Sequence, residues 1–336
     1  MSKNNKLIRW LTWLLALVLF ALVLTRMPLA DVLDAITSLS PLQWLAWLVI
    51  NVSVIYLFVW RWQVLVRPLD FAAGTLDLLK IRQAGQTVSF ITPGPQFGGE
   101  PLQVYWLWNK YSMSGPSAFL AVSLDRFIEL WINFAVLLIG LLLLFGSTTL
   151  AIDSPGNIAG ILLILLILLS LGGWLLLTRP AIVSERIRIL ARRWQHHSSL
   201  LDFETHWENF TSQLNRLIRQ HKSNLLVSLV LSLLGWTGMI LELGLLLLFI
   251  DIHLSPAEFI LLLVATRLAF LLPLPGGIGT LEAAVYWVFV SLDLSLNGAA
   301  GLIAMMRFRD IIVLSYGLYA FRHLQNAAER QGGARA

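Results

Sequence analysis

The chain contains no cysteine, which excludes disulfides, thiolate metal sites and a cysteine nucleophile. Charge is scarce as well. Asp, Glu, Lys and Arg make up 13% of the 336 residues, against about 25% in a soluble globular protein. No P-loop, GxSxG or HExxH pattern occurs, so neither a nucleotide drive nor a standard hydrolase is encoded. His196, His197 and His206, near Asp202 and Glu204, match no standard metal spacing, and no metal or other cofactor is expected. The net charge of +5 is not gathered into a basic stripe interleaved with aromatics, so nucleic acid is not an expected partner.

Apolar residues fill the space left by charge. They form 57% of the chain, in runs such as "IAGILLILLILLSLGGWLLLT" (158–178) and "NLLVSLVLSLLGWTGMILELGLLLLFI" (224–250). Each run meets the requirement of about 20 residues for a membrane-spanning helix. Full spans are expected near 8–25, 42–60, 117–145, 157–178, 224–250 and 299–321, with Trp10, Trp44, Trp60 and Trp174 near run ends as interfacial anchors. Lys3, Lys6 and Arg9 precede the first run as in a signal peptide, but no small-residue cleavage site follows, so a retained first helix is expected.

The bases set an expected orientation. The N-terminus, a turn holding Arg61 and Arg67, a polar helical connector at 179–222 and the tail with Arg322, Arg330 and Arg335 are basic, hence cytoplasmic. The loops 26–41, 146–156, 251–257 and 292–298 carry Arg26 as their one base, with Asp31, Asp34, Asp153, Asp251 and Asp293. Both termini are therefore expected in the cytoplasm. On this path region 76–110 begins and ends inside and region 258–291 begins and ends outside. Each is then a hairpin, either a re-entrant loop or a pair of spans, and the two enter from opposite faces.

Both hairpins are broken in the same way. "FITPGPQFGGEPLQVYW" from Phe90 and "FLLPLPGGIGTLEAAVYW" from Phe270 each run Phe, Pro-x-Pro, paired glycines, Glu and Tyr-Trp. The breaking residues are Pro93, Gly98 and Gly99 in the first, and Pro273, Pro275, Gly276, Gly277 and Gly279 in the second. Arg126-Phe127 and Arg307-Phe308 recur at an offset of 181. The expected architecture is an all-α polytopic protein with about six full spans and two Pro/Gly-broken re-entrant hairpins. It forms one integral membrane domain (1–336), with a first repeat at 42–145 and an inverted second repeat at 224–321. Broken hydrophobic segments at matching positions of inverted repeats point to a transporter-type midplane site.

Charges inside such spans face a cavity or a partner, because each costs about 2.5–3.5 kcal/mol at the bilayer centre. The candidate substrate-binding residues are Glu100, Glu282, Arg126, Arg307, Asp125, Arg82, Arg267 and Asp310. Arg126 and Arg307 are expected to meet an anionic group, with Glu100 and Glu282 orienting them, meeting a cationic headgroup or taking a proton. Arg126 and Glu129 lie three apart on a helix, as do Arg307 and Asp310. Asp125 and Glu129 share a face and repel, so one of them needs a base from another helix or a proton. Glu129, Glu242 and Arg309 read more readily as structural ion pairs.

"TPGPQFGGEPLQVY" (92–105), "SLDRFIEL" (123–130) and "PLPGGIGTLEAA" (273–284) resemble the signature segments of the lysylphosphatidylglycerol synthase transmembrane-region family. The resemblance spans roughly residues 8–325, with matching positions Gly98, Gly99, Glu100, Asp125, Arg126, Pro275, Gly276, Gly277, Gly279 and Glu282. Gln103 departs from the pattern, which often carries a base there. The resemblance implies an inner-membrane protein related to lipid-flipping modules, with a membrane lipid as its substrate. No counterpart of the family's soluble aminoacyl-transfer domain is seen, so handling of lipid is expected rather than its synthesis. The rival reading is a membrane enzyme or accessory subunit acting on lipid-linked substrates. A second copy of the chain or a separate lipid-modifying enzyme are the protein partners left open.

Overall fold

A long apolar segment in hydrocarbon has to pair its backbone groups internally, and a helix does so by bonding each N–H to the carbonyl four residues back. The structure, a computed structural model, describes residues 37, 39–69, 74–92, 98–145, 155–178, 199–272 and 274–333, and every regular element among them is helical. The helices are α1 (Pro41–Val66), α2 (Thr75–Ile91), α3 (Glu100–Tyr111), α4 (Gly115–Phe145) and α5 (Pro155–Thr178). They continue with α6 (Ser199–Gln220), α7 (Lys222–Phe249), α8 (Pro256–Leu271), α9 (Thr280–Ser291) and α10 (Leu296–Gly333).

Four helices among the described residues are long and apolar enough to cross a membrane: Pro41–Leu69 around α1, α4, Ile158–Leu175 within α5, and α7. Their apolar side chains are largely uncovered, Leu42 at 75% and Leu226 at 65% exposure, which suits contact with lipid rather than water. The chain is thus an all-helical integral membrane protein. The expected span at 8–25 lies outside the described residues. The expected span at 299–321 falls within the 38-residue α10, which carries Arg307, Arg309 and Asp310 and is not among the four. The expected connector at 179–222 is described only from Ser199 as α6, and His196 and His197 lie outside the described residues.

Local chemistry sets the helix ends. α4 and α10 start alike, with Ser114 Oγ accepting from Ser117 N and Ser295 Oγ from Gly298 N, both at 3.2 Å. These N-cap bonds satisfy amides that have no carbonyl within the helix. Ser255 caps α8 in a reciprocal box with Glu258, and Pro256 occupies the first turn, where a missing N–H is harmless. Ser112 and Asp293, just before α4 and α10, share a left-handed backbone with φ of 55° and 53°. Starts recur in register: α1, α2 and α4 begin at Pro41, Thr75 and Gly115, and α7, α8 and α10 begin 181 residues later, at Lys222, Pro256 and Leu296. α9 begins 180 residues after α3.

Packing divides the chain into two compact units. The first comprises residues up to Asn51 with Arg82–Glu100 and Ile240–Gln325. Here α8 packs along α9, burying Leu261, Leu262 and Val264 of α8 and Val285, Val288 and Phe289 of α9. The second comprises Val52–Ile81, Pro101–Met239 and the residues from Asn326. Here α4 packs on α5 and α6, and α6 buries Phe210, Leu214 and Leu217, one face at helical spacing.

Candidate functional site

Helix α8 gives way to a turn holding Pro275, Gly276 and Gly277 before α9 begins. Gly276 has a φ of 59°, a region that side-chain-bearing residues avoid, and a Cβ there would collide with the ring of Phe90 from α2. The turn frees carbonyls that a continuous helix would have paired. Arg307 of α10 supplies the donors. Its Nη1 donates to Gly276 O at 2.9 Å and to Asp310 at 3.0 Å, and its Nη2 donates to Gly277 O at 3.0 Å. Glu282 lies 2.7 Å from Nη2 and accepts from Nε at 2.8 Å.

A guanidinium has five N–H donors, and Arg307 spends four hydrogen bonds on Glu282, Asp310 and the two turn carbonyls. The side chain is 1% exposed. The same Glu282 accepts from Gly279 N at 2.7 Å with its other oxygen, closing the N-terminus of α9. One carboxylate therefore serves both the helix end and the arginine that holds the turn.

Residues 93–97 of the first hairpin, Pro93 among them, lie outside the described residues, as does Pro273 of the second. On the described side, Gly98 N donates to Glu100 at 2.8 Å and Gly99 N donates to Ser89 Oγ at 2.9 Å. Gly99 lies against the Gly85 carbonyl so closely that any Cβ would collide with it. Glu100 thus stands at the start of α3 as Glu282 stands in the first turn of α9, each taking a loop amide.

The first unit holds further buried charge. Glu242 of α7 is 4% exposed and accepts from Arg309 of α10 at 2.8 Å. Its other oxygen is buried with no partner among the described residues. Arg309 also reaches Asp310 at 3.4 Å, and Arg267 of α8 lies within electrostatic reach of both Arg309 and Glu242. Arg82 of α2 is buried. Nearby, a groove of about 500 Å³ is walled by Ile50 of α1, Ile240, Leu241, Gly244 and Leu248 of α7, and Phe259 of α8.

Asp125 and Arg126 belong to the second unit. The base that Asp125 and Glu129 need comes from Arg61: 2.8 Å to Asp125 and 3.2 Å to Glu129. This corrects the expectation that Arg61 lies in a basic cytoplasmic turn. It is inside α1 and 1% exposed, because its guanidinium is neutralised by carboxylates rather than by water. Arg67 alone remains at the exposed end of that segment. Arg61 is the buried charge that composition and run length did not isolate; its place twenty residues into α1, as Glu242 is twenty residues into α7, was the available signal. Arg126 pairs with Glu129 at 3.2 Å.

Among the candidate residues, Glu282, Arg307 and Asp310 are thus in one bonded cluster, joined through Arg309 to Glu242. Asp125 and Arg126 meet through Glu129 and Arg61 in the other unit.

A UPF0104 membrane protein of Methanothermobacter thermautotrophicus (strain Delta H) is 23% identical to the chain over 265 residues, covering 75% of this chain and 77% of that protein. No solved structure matches. The family model for the lysylphosphatidylglycerol synthase TM region matches residues 9–316, nearly the whole chain including both Pro/Gly-broken segments and every buried arginine described above. The chain belongs to that family.

Proposed function

We propose that the protein binds and moves an amphipathic lipid, a phospholipid or a lipid-linked sugar, across the cytoplasmic membrane. Its headgroup passes the polar side chains around the two broken hairpins while its tails stay in the bilayer. The carrying observation is the Arg307 cluster: an arginine bonded to Glu282, Asp310 and two turn carbonyls, at a break in the helices of a largely apolar chain. Phe90 of the other hairpin lies on that same turn. Irregular backbone at membrane depth is tolerated where it is buried in protein or lines a polar cavity.

Each hairpin has arms of 17 and 12 or 16 and 12 residues, about 25 and 18 Å long, and the shorter arm falls well below a bilayer core of about 30 Å. In this reading both hairpins are re-entrant, the two halves are inverted, and both termini are cytoplasmic. Rocking of one half against the other alternates access to the headgroup path. Arg307 acts by holding the turn, since its donors are taken. Glu100 and Glu282 occupy the helix N-termini to which a headgroup phosphate is drawn, so they are the groups a headgroup displaces. Asp125 and Arg126 contribute by fastening α4 to α1 through Arg61 and Glu129.

A dithionite-quenching assay with fluorescent phospholipids in proteoliposomes tests this. The protein accelerates exchange between leaflets, and Glu100→Gln and Glu282→Gln each slow it by about tenfold or more, as expected for loss of an ionised hydrogen-bonding group. Exchange no faster than in empty liposomes overturns the proposal; unchanged rates in both variants remove the two carboxylates from it.

A further inference from the structure

The last third of α7 is notched. At Gly244 the helix presents no side chain, and the recess runs past Ile240 and Leu248 to His253 in the loop after α7. Ile50 of α1 and Phe259 of α8 wall it, and it holds about 500 Å³. Leu241 and Leu248 on its margin are 57% and 60% exposed, so it opens sideways from a helix long and apolar enough to cross a membrane. What lies against it is therefore bilayer. An unfilled recess would forfeit the dispersion contacts of its lining, so hydrocarbon occupies it.

Its dimensions select the occupant. Ile240 lies nine positions before Phe249, the last residue of α7, a rise of about 14 Å. One leaflet of the hydrocarbon core is about 15 Å deep. Spread over that length, the volume makes a trough narrower than a helix, which is about 10–12 Å across with its side chains. The trough suits one extended chain reaching from the membrane surface to the bilayer centre.

Its polarity selects the other end of the ligand. Every lining side chain is apolar except that of His253, at the loop end. His253 Nδ1 lies 3.9 Å from Asp251 Oδ1, too far for a hydrogen bond, and both side chains are exposed. The imidazole therefore has an N–H to offer a phosphate oxygen, and Asp251 has a negative charge to offer an ammonium. Glu258, the next acid along, is spent on the α8 cap, where it accepts from Ser255 N at 2.7 Å.

We propose that the recess binds one acyl chain of a zwitterionic phospholipid in the leaflet that the α7–α8 loop faces, with the phosphate at His253 and the ammonium at Asp251. This lipid is resident rather than transported, and the site stands apart from the lipid-moving reading, since none of its residues belongs to the Arg307 cluster or to either Pro/Gly break. The chain supplies most of the hold through dispersion against three helices, because leaving bilayer for an apolar groove brings no hydrophobic gain. The exposed headgroup pair adds a preference of about threefold over a phospholipid without a cation.

The test is native mass spectrometry of the full-length protein, stripped of lipid in detergent and titrated with dioleoyl phosphatidylethanolamine or dioleoyl phosphatidylglycerol. One phosphatidylethanolamine is retained per chain, about threefold more tightly than phosphatidylglycerol, and Asp251→Asn removes the difference. Gly244→Phe and Leu248→Trp plug the recess from its floor and its margin, and each weakens retention by about tenfold or more. Gly244→Ala is the control for folding: its Cβ makes an ordinary contact of 3.8 Å with Phe259, and retention stays close to native. Native retention in both plugged variants, or no lipid retained by the native protein, overturns the proposal. So does a dimer that both plugs dissociate, which makes a second copy of the chain the occupant. Equal or tighter retention of phosphatidylglycerol overturns the placing of the headgroup at Asp251. Leaflet exchange plays no part in the readout, so failure of the transport reading leaves this test intact.

Discussion

Arg61 and Glu242 occupy the same register in α1 and α7, 181 residues apart, with opposite charges, and each is locked to the last helix of its own half. Arg61 meets Asp125 and Glu129 on α4, and Glu242 meets Arg309 on α10. The contact between first and fourth helix is kept while its polarity is reversed. That is physically reasonable, since an ion pair fixes two helices equally well whichever partner carries which sign. What cannot be tolerated is one partner alone, because a buried charge has no water to replace its counter-ion.

Arg61→Ala should therefore be severe. It takes the guanidinium away from Asp125, 5% exposed, and from Glu129, and removing one side of a buried pair costs about 3–5 kcal/mol. Arg126→Ala removes a partly exposed i,i+3 pair and should cost no more than about 1 kcal/mol. Unfolding titrations in mixed dodecyl sulfate micelles report both. Equal losses for the two variants contradict the assignment of Arg61 as the base that holds α4.

Arg307→Lys separates charge from geometry. An ammonium keeps the charge but has three donors at a point, so it cannot serve Gly276 O, Gly277 O, Glu282 and Asp310 together. The turn should loosen while the helices persist. Hydrogen exchange at the amides of Gly277 and Ile278, which close the turn onto Leu274 and Pro275, should quicken by about tenfold or more. Exchange there at the native rate shows that the turn holds without the guanidinium fork.

Much of this was legible in the sequence because hydrocarbon imposes strong rules. Runs such as 224–250 can only be helix, and the Pro-Gly break at 275–277 separates α8 from α9. Arg307 with Asp310, and the need of Asp125 and Glu129 for an outside base, followed from helical spacing. The identity of that base did not. Arg61 sits between Trp60 and Trp62 near the end of an apolar run, where the positive-loop rule reads an arginine as a cytoplasmic anchor. Only a tertiary contact reveals it as neutralised and buried. The bonds of Arg307 to Gly276 O and Gly277 O were hidden for the same reason, since turn carbonyls leave no trace in side-chain patterns.

Gly276 and Phe90 allow the contact between the two hairpins to be tested directly. Gly276→Ala adds a Cβ at a φ of 59° and into the Phe90 ring, so it combines backbone strain of about 1 kcal/mol with a steric clash. Phe90→Ala removes the ring that the Cβ strikes. In a double-mutant cycle the two substitutions should be non-additive by about 1 kcal/mol or more, the double variant recovering part of the loss. Additive losses show that the ring and the turn do not touch.

Ser112 and Asp293 test the inversion. They hold the same left-handed turn position ahead of α4 and α10, so a direct repeat puts them on one side of the membrane and an inverted repeat puts them on opposite sides. The chain has no cysteine to give background. Single Ser112→Cys and Asp293→Cys variants, probed in spheroplasts with a membrane-impermeant maleimide, should label differently: Asp293→Cys from outside, and Ser112→Cys only after the membrane is opened. Labelling of both from one side rules out hairpins that enter from opposite faces. It also removes the two-fold relation on which alternating access by rocking halves depends.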